Sequence, residues 1–240
     1  MFRIASYNIR KTIGLDYRRD PLRVLGVIAQ LDADIVTLQE ADRRFGTRAT
    51  SLPFDLIAQE TDLAPLDIAK GNGSIGWHGN TILVRRGMQA TRIERLTLPG
   101  LEPRGAVSVD IPLANNTIRV VAVHLGLRRK DRQDQAAYLA SHLAELPAMP
   151  TVLLGDFNEW NNAGSNLVAL NAQLNLHQPG PSFPTLRPIA QLDRIAHSRD
   201  LAVTASAVHR CDRAARASDH LPIWADMVAA EPAEQAKLTA

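Results

Sequence analysis

Six apolar, strand-prone segments of this 240-residue chain run out at side chains fit for chemistry. Ser6-Tyr7-Asn8 closes the first and Gln39-Glu40 the second. Val123-His124, Gly155-Asp156-Phe157-Asn158, Leu192-Asp193-Arg194 and Ser218-Asp219-His220 border the other four. Polar groups at strand ends are held by a rigid sheet at the place where a cleft can open. If these ends converge, one site holds four carboxylates (Glu40, Asp156, Asp193, Asp219), two histidines and two asparagines.

The pattern between these points is mixed. Alternation and β-branching predict strands at 2–9, 34–39, 80–84, 106–111, 118–124, 151–154, 192–195 and 221–228. Asp20-Pro21 reads as an N-cap and first helical position, with Leu22, Leu25, Ile28 and Leu31 forming the apolar stripe behind it. A second amphipathic helix is expected over 133–146, on Ala136, Leu139, Ala140, Leu143 and Leu146. Residues 47–76 read as loop-like, with Pro53, Pro65, Gly71, Gly73 and Gly76 breaking up short helical or extended pieces. Extended segments outnumber helices. That favours an α/β domain with strands packed sheet on sheet and helices outside, over a doubly wound parallel sheet. No repeat or linker divides the chain, so one domain over 1–228 is expected, with the Ala/Glu/Pro-rich stretch 229–240 as a fraying tail.

Composition excludes several classes. Hydrophobic residues make up 45% and charged residues 22%, a globular balance. Charges interrupt every apolar run well short of the roughly 18 residues of a membrane span. Strand-like alternation from residue 2 leaves no signal peptide. A single cysteine, Cys211, rules out an internal disulfide and a cysteine-based zinc site, and suits a reducing cytoplasm. Four of the 27 basic residues are lysines and the rest arginines, the side chain that grips phosphate in a planar fork. No obligate protein partner is evident.

Carboxylate and amide oxygens without thiolates favour Mg²⁺ or Mn²⁺ over zinc, with one or two protein carboxylates sufficing for Mg²⁺. Such an inventory suits hydrolysis of a phosphate ester, which needs positive charge on the phosphoryl oxygens, a base for water and donors for developing charge.

Tyr-Asn-Ile (7–9), Leu-Gln-Glu (38–40), Val-His-Leu (123–125), Gly-Asp-Phe-Asn (155–158), Leu-Asp-Arg-Ile (192–195) and Ser-Asp-His-Leu-Pro (218–222) resemble, in order, the motifs of the endonuclease/exonuclease/phosphatase superfamily. Its members include DNase I-like nucleases, apurinic-site endonucleases, sphingomyelinases and inositol-polyphosphate phosphatases. The text between the motifs, such as His78-Gly79-Asn80 and Pro103-Arg104-Gly105, is similar to a small bacterial cytosolic branch. The resemblance implies a four-layer α/β sandwich with the site between the tops of its sheets. It implies a metal-dependent phosphodiester hydrolase, most readily a nuclease on DNA or RNA. The alternative is an enzyme acting on a small or lipid-linked phosphate ester. A non-catalytic binding module is disfavoured, because no expected site residue is missing.

Carried over position by position, Glu40 is the principal metal ligand, with Asp219 and Asn8 beside it. Asp156 positions or deprotonates water, Asn158 and His124 donate to phosphate, and Asp193 fixes the tautomer of His220. One position departs from the apurinic-site pattern: an acidic residue two places after the first Asn is Arg10 here. That weakens a second metal position and an apurinic specificity, and it offers Arg10 and Lys11 as phosphate contacts. Further substrate contacts are expected from His78, Asn80, Arg104, from Arg128 in the Arg128-Arg129-Lys130 cluster, and from Trp160 by stacking. Trp77 and Trp224 read as packing. Ser218-Asp219-His220 is not a serine triad, since triad members meet from different elements.

Overall fold

A computed structural model describes residues 1–43, 49–71, 73–114, 116–161 and 166–230. Twelve strands follow one another along the described chain: β1 (Phe2–Asn8), β2 (Ile35–Gln39), β3 (Leu63–Pro65), β4 (Thr81–Arg85), β5 (Arg92–Thr97), β6 (Gly105–Leu113), β7 (Asn116–His124), β8 (Thr151–Asp156), β9 (Asn175–His177), β10 (Asp193–His197), β11 (Leu201–Val208) and β12 (Ile223–Ala229). They form two six-stranded sheets, ordered β11-β12-β1-β2-β4-β3 and β5-β6-β7-β8-β10-β9. Each sheet contains one parallel pair, β1 with β2 and β7 with β8. A helix makes each crossover: α1 (Pro21–Gln30) in the first sheet and α3 (Arg129–Glu145) in the second, with the shorter α2 (Phe54–Glu60) beyond β2.

The two-residue side-chain period of a strand generates the layers. On β1, Ile4 faces the other sheet while Ala5 and Tyr7 face α1. On β7, Val120 and Ala122 join Ile4, Ile35, Ile82, Leu154 and Ile195 between the sheets, whereas Val121 and Val123 pack under α3. Both faces of the central strands are buried, which is why their sequences read as unbroken apolar runs. The result is helix, sheet, sheet, helix. The Asp20 carboxylate accepts from the Arg23 amide at 2.9 Å, and Pro21 starts α1 as expected.

Two expectations change. Helix α3 starts at Arg129, four residues earlier than the apolar pattern allows. Asp131 and Arg132 are buried in its first turn because they have partners elsewhere: Asp131 accepts from the Leu101 amide, and Arg132 donates to the Leu127 carbonyl at 2.6 Å and reaches Glu159. Strands β5 and β11 lie at sheet edges, where charged or small residues hide the alternation. The short pieces expected within the loop-like stretch 47–76 include α2 and β3, and its residues 47, 48 and 72 lie outside the described residues. The expected tail likewise falls outside them beyond residue 230. No helix among the described residues is long and apolar enough to cross a membrane.

Candidate active site

The inward-facing rows of the two sheets end in polar residues at the same end of the molecule. Ile4, Ser6 and Asn8 share one face of β1; Val120, Ala122 and His124 share one face of β7; Val152, Leu154 and Asp156 share one face of β8. Strand register then sets His124 beside Asp156, and Asp156 beside Asp193. Backbone pairing alone therefore lines up three site residues from three strands. Gly155 permits this closeness: at φ 149° it lies against β7, where a Cβ would fall 1.9 Å from the Val123 carbonyl oxygen.

Asp156 is the hub. Its Oδ1 accepts from the Asn158 amide at 2.9 Å and its Oδ2 from Asn8 Nδ2 at 3.0 Å, the latter bond joining the two sheets. His124 Nε2 lies 3.5 Å and His220 Nε2 3.7 Å from the same Oδ2. His220 Nδ1 donates to Asp193 Oδ2 at 2.8 Å, and Ser182 Oγ donates to that oxygen as well. Asp193 and His220 thus form a second bridge, with the ring fixed as the Nδ1–H tautomer or as imidazolium. Burial opposes a charge on His220, but Asp193 and Asp156 outweigh it, and its pKa is pushed up to about 9. Burial, with help from Asp193, raises Asp156 above the usual carboxylate range, against the pull of His220.

Glu40 follows β2 directly in a left-handed conformation, φ 54°, which turns its carboxylate into the cleft. Lys11, His78 and Asn158 share that region at φ 56°, 50° and 49°. Four such non-glycine residues on one cavity wall cost of order 1–2 kcal/mol each, and strain of this kind gathers where function requires an exact placement. The cavity measures about 640 Å³ and is walled by Asn8, Lys11, Glu40, His124, Asp156, Asn158, Asp219 and His220 from the expected set. His78, Arg104 and Trp160 lie on its wall too. The Arg104 guanidinium sits 2.9 Å from the His124 ring nitrogens and is itself held by Glu102 at 2.8 Å.

Three expected contacts stand elsewhere. Asn80 is fully buried behind the wall and donates to the Gly105 carbonyl at 2.9 Å, so it joins two loops instead of reaching into the cavity. Arg128 is exposed outside the cavity lining. Arg10 also stays off the wall, its Nε 3.4 Å from Asp219 Oδ2. Arg194, next to Asp193 in the chain, donates to the carbonyls of Glu159 and Asn161 and so braces the loop that carries Trp160.

Sequence reasoning missed Ser182, Phe183, Asp42, Arg43 and Glu102. Phe183 packs its ring 4.8 Å from that of His220 and 6.0 Å from that of Trp160. Prolines at 181 and 184 mark that segment as rigid, but nothing local shows that Ser182 meets Asp193.

The donor set fits a hard divalent cation. Among the described residues no three His, Cys, Asp or Glu side chains form a closed cage. Mg²⁺ does not need one, because one or two carboxylates and water suffice. Glu40 and Asp219 reach the cavity with partly exposed carboxylates, and each now faces a protein cation, Lys11 Nζ on Glu40 and Arg10 on Asp219.

The sequence profile of the endonuclease/exonuclease/phosphatase family matches residues 5–220. An uncharacterized protein of Escherichia coli K12, YbhP, is 30% identical over 246 residues, covering 94% of this chain and 96% of its own. Among solved structures, a functionally unknown conserved protein of Enterococcus faecalis superposes with a TM-score of 0.75 at 20% identity, covering 95% of this chain and 100% of its own. A mannosyl-6-phosphatase of Bacteroides thetaiotaomicron gives 0.72 at 17%, over 95% and 100% of the two chains. D. rerio TDP2, complexed with a single-strand DNA product, gives 0.71 at 16%, over 95% and 98%.

Proposed function

The chain belongs to the endonuclease/exonuclease/phosphatase family, and from that membership we propose that it hydrolyses phosphodiesters by direct attack of water with a divalent metal ion. The observation that carries this reading is Asp156, a buried carboxylate set between two histidines and tied to the opposite sheet by Asn8.

A Mg²⁺ or Mn²⁺ ion held through Glu40, with Asp219 and Asn8 nearby, would supply positive charge at the phosphoryl oxygens. The remaining steps fall to the protein. Asp156, held by two N–H donors on the cavity wall, orients the attacking water and takes its proton. His220, fixed by Asp193, carries its proton at neutral pH and donates to the oxygen on which charge builds. The Asp193 bond and the raised pKa support His220 as a cationic stabiliser. Asn158 keeps one amide hydrogen on the Leu125 carbonyl and presents the other to a non-bridging oxygen. His124, backed by Arg104, adds a donor on the other flank.

The same chemistry serves nucleic acid and smaller esters, and the named neighbours span both, a single-strand DNA product on one and a sugar phosphatase activity on another. Bis-p-nitrophenyl phosphate tests the reaction itself, with oligonucleotide and plasmid DNA run beside it for the nuclease form. Turnover in Mn²⁺ that stops in EDTA and in His220→Ala is expected. Equal turnover by His220→Ala would remove the proposal.

A further inference from the structure

Three loops at the cleft end of the sheets repeat one pattern, an exposed large apolar side chain followed by exposed basic ones, and a fourth presents an exposed leucine without them. Tyr17, 82% exposed, precedes Arg18-Arg19 in the loop after β1. Leu127 precedes Arg128-Arg129-Lys130 after β7, and Leu186, 83% exposed, precedes Arg187, with Ile189 two places on. Leu101, 78% exposed, tops the turn before β6. All four loops belong to the active-site end. The loop after β1 follows Asn8, and the turn before β6 opens beside His124. Leu127 lies on the cavity wall, and the 184–189 turn hangs from a Thr185 amide bond to the Asp219 carbonyl. The acidic residues in these loops are already engaged: Asp16 with Arg23, and Glu102 with Arg104.

We propose that this rim docks the active site onto an anionic lipid bilayer, so that the enzyme takes phosphodiesters presented at a membrane surface. The inference rests on the phosphodiesterase reading above and narrows its substrate class. Exposed apolar groups gathered round one opening mark an interaction surface. Arginines alone would satisfy a nucleic-acid backbone, which offers nothing to Leu101, Leu186 or Ile189. A bilayer takes both parts. Leu, Ile and Tyr enter the boundary between headgroups and acyl chains, while the neighbouring arginines meet lipid phosphates, each basic residue near the surface adding about 1 kcal/mol. Contact is peripheral, since no helix among the described residues spans. The rim is spread over four loops, which is why no amphipathic helix announces it in the sequence.

The test is flotation of the whole protein, in EDTA, with vesicles of phosphatidylcholine alone and with added phosphatidylglycerol. Flotation with the anionic vesicles is expected, weakening with salt. The double variant Leu186→Glu/Ile189→Glu should lower the bound fraction by about tenfold or more. Arg187→Ala should lower it less. Both should keep wild-type turnover of bis-p-nitrophenyl phosphate, since these residues lie outside the catalytic cavity. Should the glutamates impair folding, Leu186→Ser/Ile189→Ser serves in their place, judged by its melting temperature. Wild-type protein that stays behind with both vesicle types overturns the proposal. So does undiminished flotation of the double variant, or an equal loss of oligonucleotide binding by it. Absent turnover of the soluble diester would instead strike at the catalytic reading, on a separate readout.

Discussion

Asn8 Nδ2 donates to Asp156 Oδ2 across the gap between the two sheets, 3.0 Å apart and 148 residues apart in sequence. The bond closes the open end of the sandwich and orients the carboxylate proposed to handle water. Asn8→Ala leaves a buried acceptor short of a donor, which costs about 1–3 kcal/mol of stability. Its kcat should fall by about a hundredfold, because Asp156 loses its orientation. Urea denaturation and steady-state kinetics check both, and a variant with wild-type kcat would detach Asn8 from the chemistry.

Asp193 bonds His220 and does not line the cavity, so the proposed mechanism gives it a positioning role through the imidazole. Asp193→Asn keeps the volume but removes the charge that favours the imidazolium. Turnover should drop by about 10²–10⁴, and the alkaline limb of the pH–rate profile should move to lower pH. A loss of rate with an unmoved profile would make Asp193 a mere structural support.

The raised pKa of His220 also fixes a sign for stability. In the metal-free protein its folded pKa is about 9, above the unfolded value near 6.5. The contribution is complete below about pH 6.5 and disappears as pH rises through about 9, amounting to roughly 3 kcal/mol at the acid end. Denaturation in EDTA across this range should show that decline in wild type and a flatter curve in His220→Gln. Parallel curves would place the proton elsewhere.

Lys11 rests on Glu40 and occupies the carboxylate that a divalent ion would use. Lys11→Met removes the competitor, so Mn²⁺ affinity should rise about tenfold, whereas Glu40→Gln should abolish binding. Electron paramagnetic titration of free Mn²⁺ reads both without any substrate. Unchanged affinity in Lys11→Met would separate the lysine from the metal position.

Gly155 tolerates no side chain: backbone of β7 stands where its Cβ would go. Gly155→Ala should fail to give soluble protein or lose several kcal/mol of stability, about the range of severe overpacking. A soluble variant with a wild-type melting temperature would refute the close approach.

Much of the site was legible because a strand reports its own faces. Once the apolar alternation of 2–9, 118–124 and 151–154 is read, Asn8, His124 and Asp156 fall on the inward rows by parity. Other features were not legible for equally physical reasons. Asn80 looks like a cleft residue in the chain and is a buried bolt in the fold. Asp131 and Arg132 disguise the first turn of α3, because their charges are balanced by a loop, a carbonyl and Glu159 that no local window contains.

The sequence by itself determined which side chains stand at strand ends, which faces are apolar and which chemistry the oxygen and imidazole inventory can perform. These properties follow from backbone periodicity and functional groups, and each needs only neighbours in the chain. Tertiary structure alone decided that Asp156 lies between His124 and His220, that Lys11 rests on Glu40, and that four separated loops present leucine, isoleucine, tyrosine and arginine on one rim. Those relations depend on two sheets packing face to face, and distance through space carries no signature in a one-dimensional pattern.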